Sequence, residues 1–191
     1  MNRNIVIAGV GGQGTLLASK ILGQCALNLG YDVKVSEVHG MSQRGGSVVT
    51  YVRYGDEVAS PLIENGQADI LLAFEQLECL RWLPVLKPDG VAVMSEQKIA
   101  PMPVITGVEQ YPENIAKTIR GYGVKLYSCD ALKIAEELGN IKAVNVVLIG
   151  LLAKHSDIPK EEFIKAIEQT VKPQFVKLNL AAFERGYTSG I

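Results

Sequence analysis

Cysteine is scarce in this 191-residue chain. Cys25, Cys79 and Cys129 are the whole complement, and no C-x-x-C pair occurs. Three widely spaced thiols in largely apolar sequence argue against a zinc site, an iron–sulfur cluster or a disulfide framework built from this chain alone. They read as buried free thiols of a reducing compartment. An excess of charge is also missing: Lys+Arg 19 against Asp+Glu 20 leaves a net charge of -1. Nothing global attracts nucleic acid or an anionic membrane, and only a local anion site is left open. The longest apolar stretch, residues 143–153, is too short to span a bilayer and is interrupted by Asn145. No signal peptide precedes the first strand-like run, so a cytoplasmic protein is expected. Internal repeats, low-complexity tracts and linkers are absent.

What is present suits a single folded unit. Hydrophobic residues make up 48% of the chain and charged residues 20%, enough for one domain over residues 1–191 with a large core. The opening "NIVIAGV" is a β-branched run ending in glycines and predicts a strand and tight turn. Over 15–29, Leu16, Ala18, Ile21, Leu22, Cys25 and Leu29 fall near helical spacing, with Gly30 as C-terminal cap. In "YDVKVSEV", Val33 and Val35 alternate with polar neighbours while Val38 falls out of phase; a second strand is expected, completing a βαβ unit.

Further strands are expected in "SVVTYVRYG", "ADILLAF", "GVAVMSE" and "KLYSC", with a short one at 102–106. Helices are expected at 75–86, ending near Lys87-Pro88-Asp89-Gly90, at 115–120, at 131–138, and over most of the chain after 143. The alternation predicts an α/β, Rossmann-like fold: a mainly parallel sheet flanked by helices, with the C-terminal helices packing across it.

Gly9-Val10-Gly11-Gly12-Gln13-Gly14 fits G-x-G-x-x-G between a strand and a helix. The first glycine would permit the tight turn, the second (Gly11) close backbone approach, and the third (Gly14) packing of helix on strand; Gly12 adds to the loop. The helix terminus would suit a phosphate or carboxylate. Glu37, 23 residues after Gly14, stands near where a dinucleotide enzyme needs an acid. A stand-alone dehydrogenase is therefore one reading. Packing glycines with nothing bound is another, because fold does not fix function.

Residues 37–55, "EVHGMSQRGGSVVTYVRYG", concentrate the chemistry. Arg44, followed by Gly45 and Gly46, could present a guanidinium fork to phosphate or carboxylate; equally, it could pair with Glu37 or cross a subunit interface. His39 has the reference pKa of an acid or base, but a His beside a turn also serves as a structural hydrogen-bonding residue. Glu37 carries the same two readings. No Ser-His-acid arrangement accompanies Ser42. His155 follows a helix and reads as a C-terminal capping group, while Asn145 and Gly150 read as packing and hydrogen-bonding features. A non-catalytic binding module built on the Arg44 loop is a third reading.

"IVIAGVGGQG" followed by "SEVHGMSQRGGSVVTYVRYG" resembles the gamma-type component of the 2-oxoacid:ferredoxin oxidoreductases, and the likeness continues through "NVVLIGLLAK" and "NLAAFERGY". The G-M-S-Q-R-G-G form favours the indolepyruvate branch over the pyruvate and 2-oxoglutarate branches; the gamma subunit of a pyruvate, 2-oxoglutarate or 2-oxoisovalerate enzyme is the alternative. The resemblance implies one subunit of an enzyme that oxidatively decarboxylates arylpyruvates with coenzyme A to aryl-acetyl-CoA and CO2, reducing ferredoxin. It implies a larger alpha subunit holding thiamine diphosphate and iron–sulfur clusters, with the thiamine as electron sink. Ser42 and Gln43 would then contact an acyl or pantetheine group. The chain itself lacks the parts: its nearest match to the thiamine G-D-G signature is "GDE" at 55–57, without the last glycine. No metal or redox cofactor is expected on this chain, and it should be inactive alone.

Overall fold

A computed structural model gives the fold and describes residues 2–39 and 45–190, the side chain of His39 excepted. β1 (Arg3–Val10) sits at the centre. Its period-two alternation feeds two cores: Ile5 and Ile7 point to one face, Val6 and Ala8 to the other. The six-stranded sheet has the order β2-β3-β1-β4-β5-β6. The remaining strands are β2 (Asp32–His39), β3 (Ser47–Gly55), β4 (Ala68–Ala73), β5 (Leu86–Ser95) and β6 (Lys125–Cys129). β1, β4, β5 and β6 pair in parallel; β3 is antiparallel to both β1 and β2.

The expected βαβ unit is thus split. α1 (Thr15–Asn28) carries the chain from β1 to β2 on one face, yet β3 lies between those strands. Residues 40–46 are too few for a crossover, so β3 must return antiparallel beside β2. It fills the slot next to β1. Val38 is out of phase with Val33 because it lies on the opposite face of an edge strand; both Val35 and Val38 are exposed.

After β4 the chain leaves on the other face. α2 (Gln76–Trp82) and α4 (Ile115–Gly121) cover that side. α2 ends earlier than expected, at a 3-10 turn over Leu83–Val85 containing Pro84, and residues 87–90 belong to β5. The expected strand at 102–106 is a one-turn helix, α3 (Met102–Ile105). Pro101 caps it and Pro103 falls in its first turn, where a missing N–H costs nothing.

α5 (Ala131–Glu137) returns the chain to the α1 face, where α6 (Val144–Ala153) lies on the sheet. α7 (Lys160–Thr170) and α8 (Pro173–Thr188) form a further layer outside α1 and α6, so of the C-terminal helices α6 is the one that packs directly across the strands. Every residue of α6 is buried, Asn145 included, as a helix apolar on nearly all sides requires. A Cβ on Gly150 would stand 2.1 Å from the Phe183 carbonyl oxygen, so the two helix backbones touch there. Phe74, Phe163 and Phe183 are fully buried, and each such side chain contributes roughly 1.5–3 kcal/mol.

Candidate functional site

The chain exits β1 toward one face and β4 toward the other, which makes the gap between their carboxyl ends the topological switch point. Ligands of open α/β sheets bind in such gaps. Here the Gln13 side chain spans it. Its side-chain oxygen accepts from Val10 N–H at 2.7 Å, and its Nε2 donates to the Phe74 carbonyl at 3.0 Å and to Gln97 Oε1 at 3.2 Å. One carboxamide therefore ties the glycine loop to the ends of β4 and β5.

The glycines divide the work differently from the pattern's usual assignment. Gly9 lies within β1, and a Cβ there would meet Gln13 Oε1 at 3.0 Å and Phe74 Cβ at 3.2 Å. The turn itself rests on Gly12 and Gly14, with φ of 102° and 85°. Gly14 caps α1 and is also crowded: a Cβ would come within 2.6 Å of Asn145 Nδ2, which donates to the Gly14 carbonyl at 3.3 Å. Asn145 on α6 thus fixes the start of α1.

The backbone of Gly11 is engaged within the protein. Its N–H donates to the Gly46 carbonyl at 2.9 Å, and Gly45 N–H donates back to the Gly11 carbonyl at 3.5 Å. These bonds extend the β1–β3 ladder past Val10↔Ser47, so the glycine loop and the base of the arginine loop form one backbone clasp. Ser47 is held from a second side, because its hydroxyl donates to Glu78 Oε2 at 2.5 Å.

A cavity of about 330 Å³ opens beside this clasp, between Gly11, Gly12, Thr15 and Val48, with Glu37 on its rim. Glu37 stands on β2, one strand beyond β3, about 9.6 Å across the sheet from β1 at ordinary strand spacing. Its carboxylate reaches the Thr50 hydroxyl at 3.5 Å. His39 ends β2 opposite Val48. Ser42, Gln43 and Arg44 lie outside the described residues. The structure therefore brings Gly9, Gly11, Gly12, Gly14, Gly45, Gly46 and Glu37 to one edge of the sheet. Gln13, Asn145 and Glu78 are additions that the glycine pattern alone did not single out as site residues.

At the opposite end of the strands the charged groups pair with one another. A charged cleft of about 440 Å³ lies at the amino-terminal edge of the sheet. There Arg3 pairs with Asp157 at 2.7 Å and with Asp69 at 3.3 Å, Lys87 also meets Asp69, and Tyr54 donates to Asp157 at 3.2 Å. These groups staple the amino ends of the strands together. His155 does not cap through its ring, which stacks on Tyr127 with centroids 3.5 Å apart; burial and then Lys154 lower its pKa. Its backbone N–H donates to the Leu152 carbonyl.

The three cysteines occupy α1, α2 and the end of β6 and are all buried. Burial raises their thiols to about 12 at Cys25 and Cys79 and about 11 at Cys129. An iron–sulfur cluster needs grouped thiolates, so these thiols do not fit one. Among the described residues no three His, Cys, Asp or Glu side chains stand together as metal ligands, and no helix is long and apolar enough to cross a membrane. The "GDE" segment begins at Gly55, the end of β3 remote from the glycine loop.

These features define a class: an α/β domain with a glycine loop whose switch-point crevice is bridged by Gln13, and whose loop is clasped to a second glycine pair. The family model for pyruvate ferredoxin/flavodoxin oxidoreductase matches residues 4–189, and the chain belongs to that family. It is 44% identical over 188 residues to indolepyruvate oxidoreductase subunit IorB of Thermococcus kodakarensis, covering 96% of this chain and 93% of that one. It is 31% identical to 2-oxoglutarate synthase subunit KorC of Methanothermobacter thermautotrophicus, with 97% and 94% covered. Among solved structures, the gamma subunit of a keto/oxoacid ferredoxin oxidoreductase from Geobacter sulfurreducens matches with TM-score 0.71 and 26% identity, covering 97% of this chain and 96% of that one.

Proposed function

We propose that this chain is the smaller subunit of an indolepyruvate-type 2-oxoacid:ferredoxin oxidoreductase, a cytoplasmic enzyme that converts arylpyruvates and coenzyme A to aryl-acetyl-CoA and CO2. Residues 1–191 form its single gamma-type domain. Thiamine diphosphate and iron–sulfur clusters belong to a larger alpha subunit, and ferredoxin accepts the electrons. When bound there, thiamine diphosphate supplies the electron sink for decarboxylation. This chain contributes the loop surface of Glu37, His39, Ser42, Gln43, Arg44, Gly45 and Gly46.

The observation that carries this reading is the clasp. The N–H of Gly11 is bonded to Gly46 and the crevice is bridged by Gln13, which supports reading the glycine motif as the carrier of a loop. A dinucleotide enzyme needs that crevice for a pyrophosphate and needs its acid on the strand next to β1. Here β3 occupies that place. The higher identity to an IorB subunit than to a KorC subunit supports the arylpyruvate branch.

Arg44 supplies a cation to a phosphate or carboxylate at the shared site. Co-expression with the larger subunit tests the reading. The purified pair should reduce ferredoxin or a viologen dye only when arylpyruvate and coenzyme A are both present. A pair that assembles but prefers pyruvate or 2-oxoglutarate would move the chain to another branch of the family.

A further inference from the structure

An open groove runs from the glycine loop to the start of α8, in two stretches. The first, about 580 Å³, lies against Gly12, Gly14 and Asn145 and continues past Ile141. The second, about 360 Å³, passes between Leu17, Phe175 and Leu178. Leu17 and Lys142 line both, which joins them into one surface. Two of its large apolar side chains stay open to solvent: Ile141 is 61% exposed and Phe175 41%. An apolar side chain exposed singly is ordinary, but a joined apolar run marks a contact surface.

The charge of the groove has one sign. Lys142 and Lys172 stand on it, and no aspartate or glutamate lines either stretch. Arg3, Arg81, Lys87 and Arg185 each pair with a carboxylate, whereas neither groove lysine does so among the described residues. Their backbones are fixed nonetheless. Lys142 lies in the 3-10 turn Ile141–Ala143 and its N–H donates to the Asn140 side chain at 3.0 Å; Lys172 precedes Pro173 at the start of α8.

An apolar groove with an unpaired basic edge complements an apolar segment flanked by acids. No strand residue lines it, so an occupant meets side chains there and does not extend the sheet. The first stretch shares Gly12 and Gly14 with the cavity beside the Gly11–Gly46 clasp. The groove thus continues the face that carries the clasp.

We propose that this groove docks an acid-flanked apolar segment of the larger subunit, a proposal that rests on the reading of the chain as a subunit. Ile141 and Phe175 supply the apolar contact, and Lys142 and Lys172 orient the segment from the rim.

Competition during assembly tests it. A tagged larger subunit is co-expressed with wild-type chain and one variant, and mass spectrometry counts both chains in the purified complex, normalised to their soluble levels. Ile141→Asp should be outcompeted about tenfold, and so should Lys142→Glu combined with Lys172→Glu. Lys142→Arg with Lys172→Arg keeps both charges and should enter as wild type does. All three positions are exposed, so thermal unfolding of the isolated variants should match wild type.

Equal entry of Ile141→Asp and of the double reversal would overturn the proposal, as would exclusion of the arginine pair. A dimer of the chain alone that Ile141→Asp breaks, read by sedimentation, would overturn it in favour of a second copy. A wild-type chain that never co-purifies with the larger subunit would overturn both the proposal and the reading beneath it. A complex that assembles by these rules but ignores arylpyruvate would support the groove and remove only the arylpyruvate branch.

Discussion

Replacing Gly14 by alanine separates two effects that coincide at one residue. Gly12 and Gly14 both have positive φ, but only Gly14 faces a neighbour: open space surrounds Gly12, while Asn145 Nδ2 would stand 2.6 Å from the new Cβ. Gly12→Ala should therefore cost only the left-handed backbone penalty, about 1–2 kcal/mol. Gly14→Ala adds displacement of a buried amide from the Gly14 carbonyl, worth about 1–3 kcal/mol more. For a domain of this size each kcal/mol lowers Tm by about 2–4 °C. Urea unfolding of both variants measures the difference. Asn145→Ala completes a double-mutant cycle: it removes the obstruction, so the two substitutions at 14 and 145 should fall short of additivity by about 1–3 kcal/mol. Equal destabilisation by Gly12→Ala and Gly14→Ala, with strict additivity in the cycle, would refute the assignment of Asn145 as the residue that fixes the start of α1.

Three further outcomes follow from the same geometry. The thiols at Cys25, Cys79 and Cys129 are raised by burial, so an aromatic disulfide reagent should label none of them in the native protein and all three after unfolding. Rapid labelling of the native chain would contradict that burial. His155 has its pKa lowered from 6.5, so protons bind the unfolded chain more readily; its stabilising contribution is full above pH 6.5 and is lost as pH falls below that value through its folded pKa. His155→Phe keeps a ring against Tyr127 without the titration, and its Tm should fall less than wild type over that window; identical slopes would remove His155 as the cause. With Gln13 in the crevice, neither NAD(P) nor a flavin dinucleotide should shift Tm, and a saturable shift would reinstate the dehydrogenase reading.

Much of the architecture was legible because periodicity reports burial. β1 divides Ile5 and Ile7 from Val6 and Ala8 by alternation alone, and the run over 143–153 marks a helix buried on all sides. Strand order was not legible. Nothing local to "SVVTYVRYG" says that it slots between β1 and β2, a choice fixed by which edges are free after the hairpin forms.

The site was half legible for a related reason. The glycines announce a turn, but whether a G-x-G-x-x-G loop holds phosphate or packs against protein depends on Gln13 and on Gly46, 32 or more residues away from the loop in the chain. Glu78 has one local sign in the sequence. Glu75 and Glu78 stand three apart at a helix start, the spacing of a capping pair, although the second carboxylate reaches across to Ser47 instead of back to the helix. Proline misled at 101–103, where two prolines in an apolar segment suited a first helical turn better than a strand.

The division of labour between this chain and a larger subunit is tested most directly by assaying arylpyruvate- and coenzyme A-dependent dye reduction with the chain alone and with its co-purified partner. The chain alone should be colourless and inactive, and should become part of an active, coloured complex. Reduction by the purified chain alone, or a chain that carries its own iron–sulfur chromophore, would contradict it.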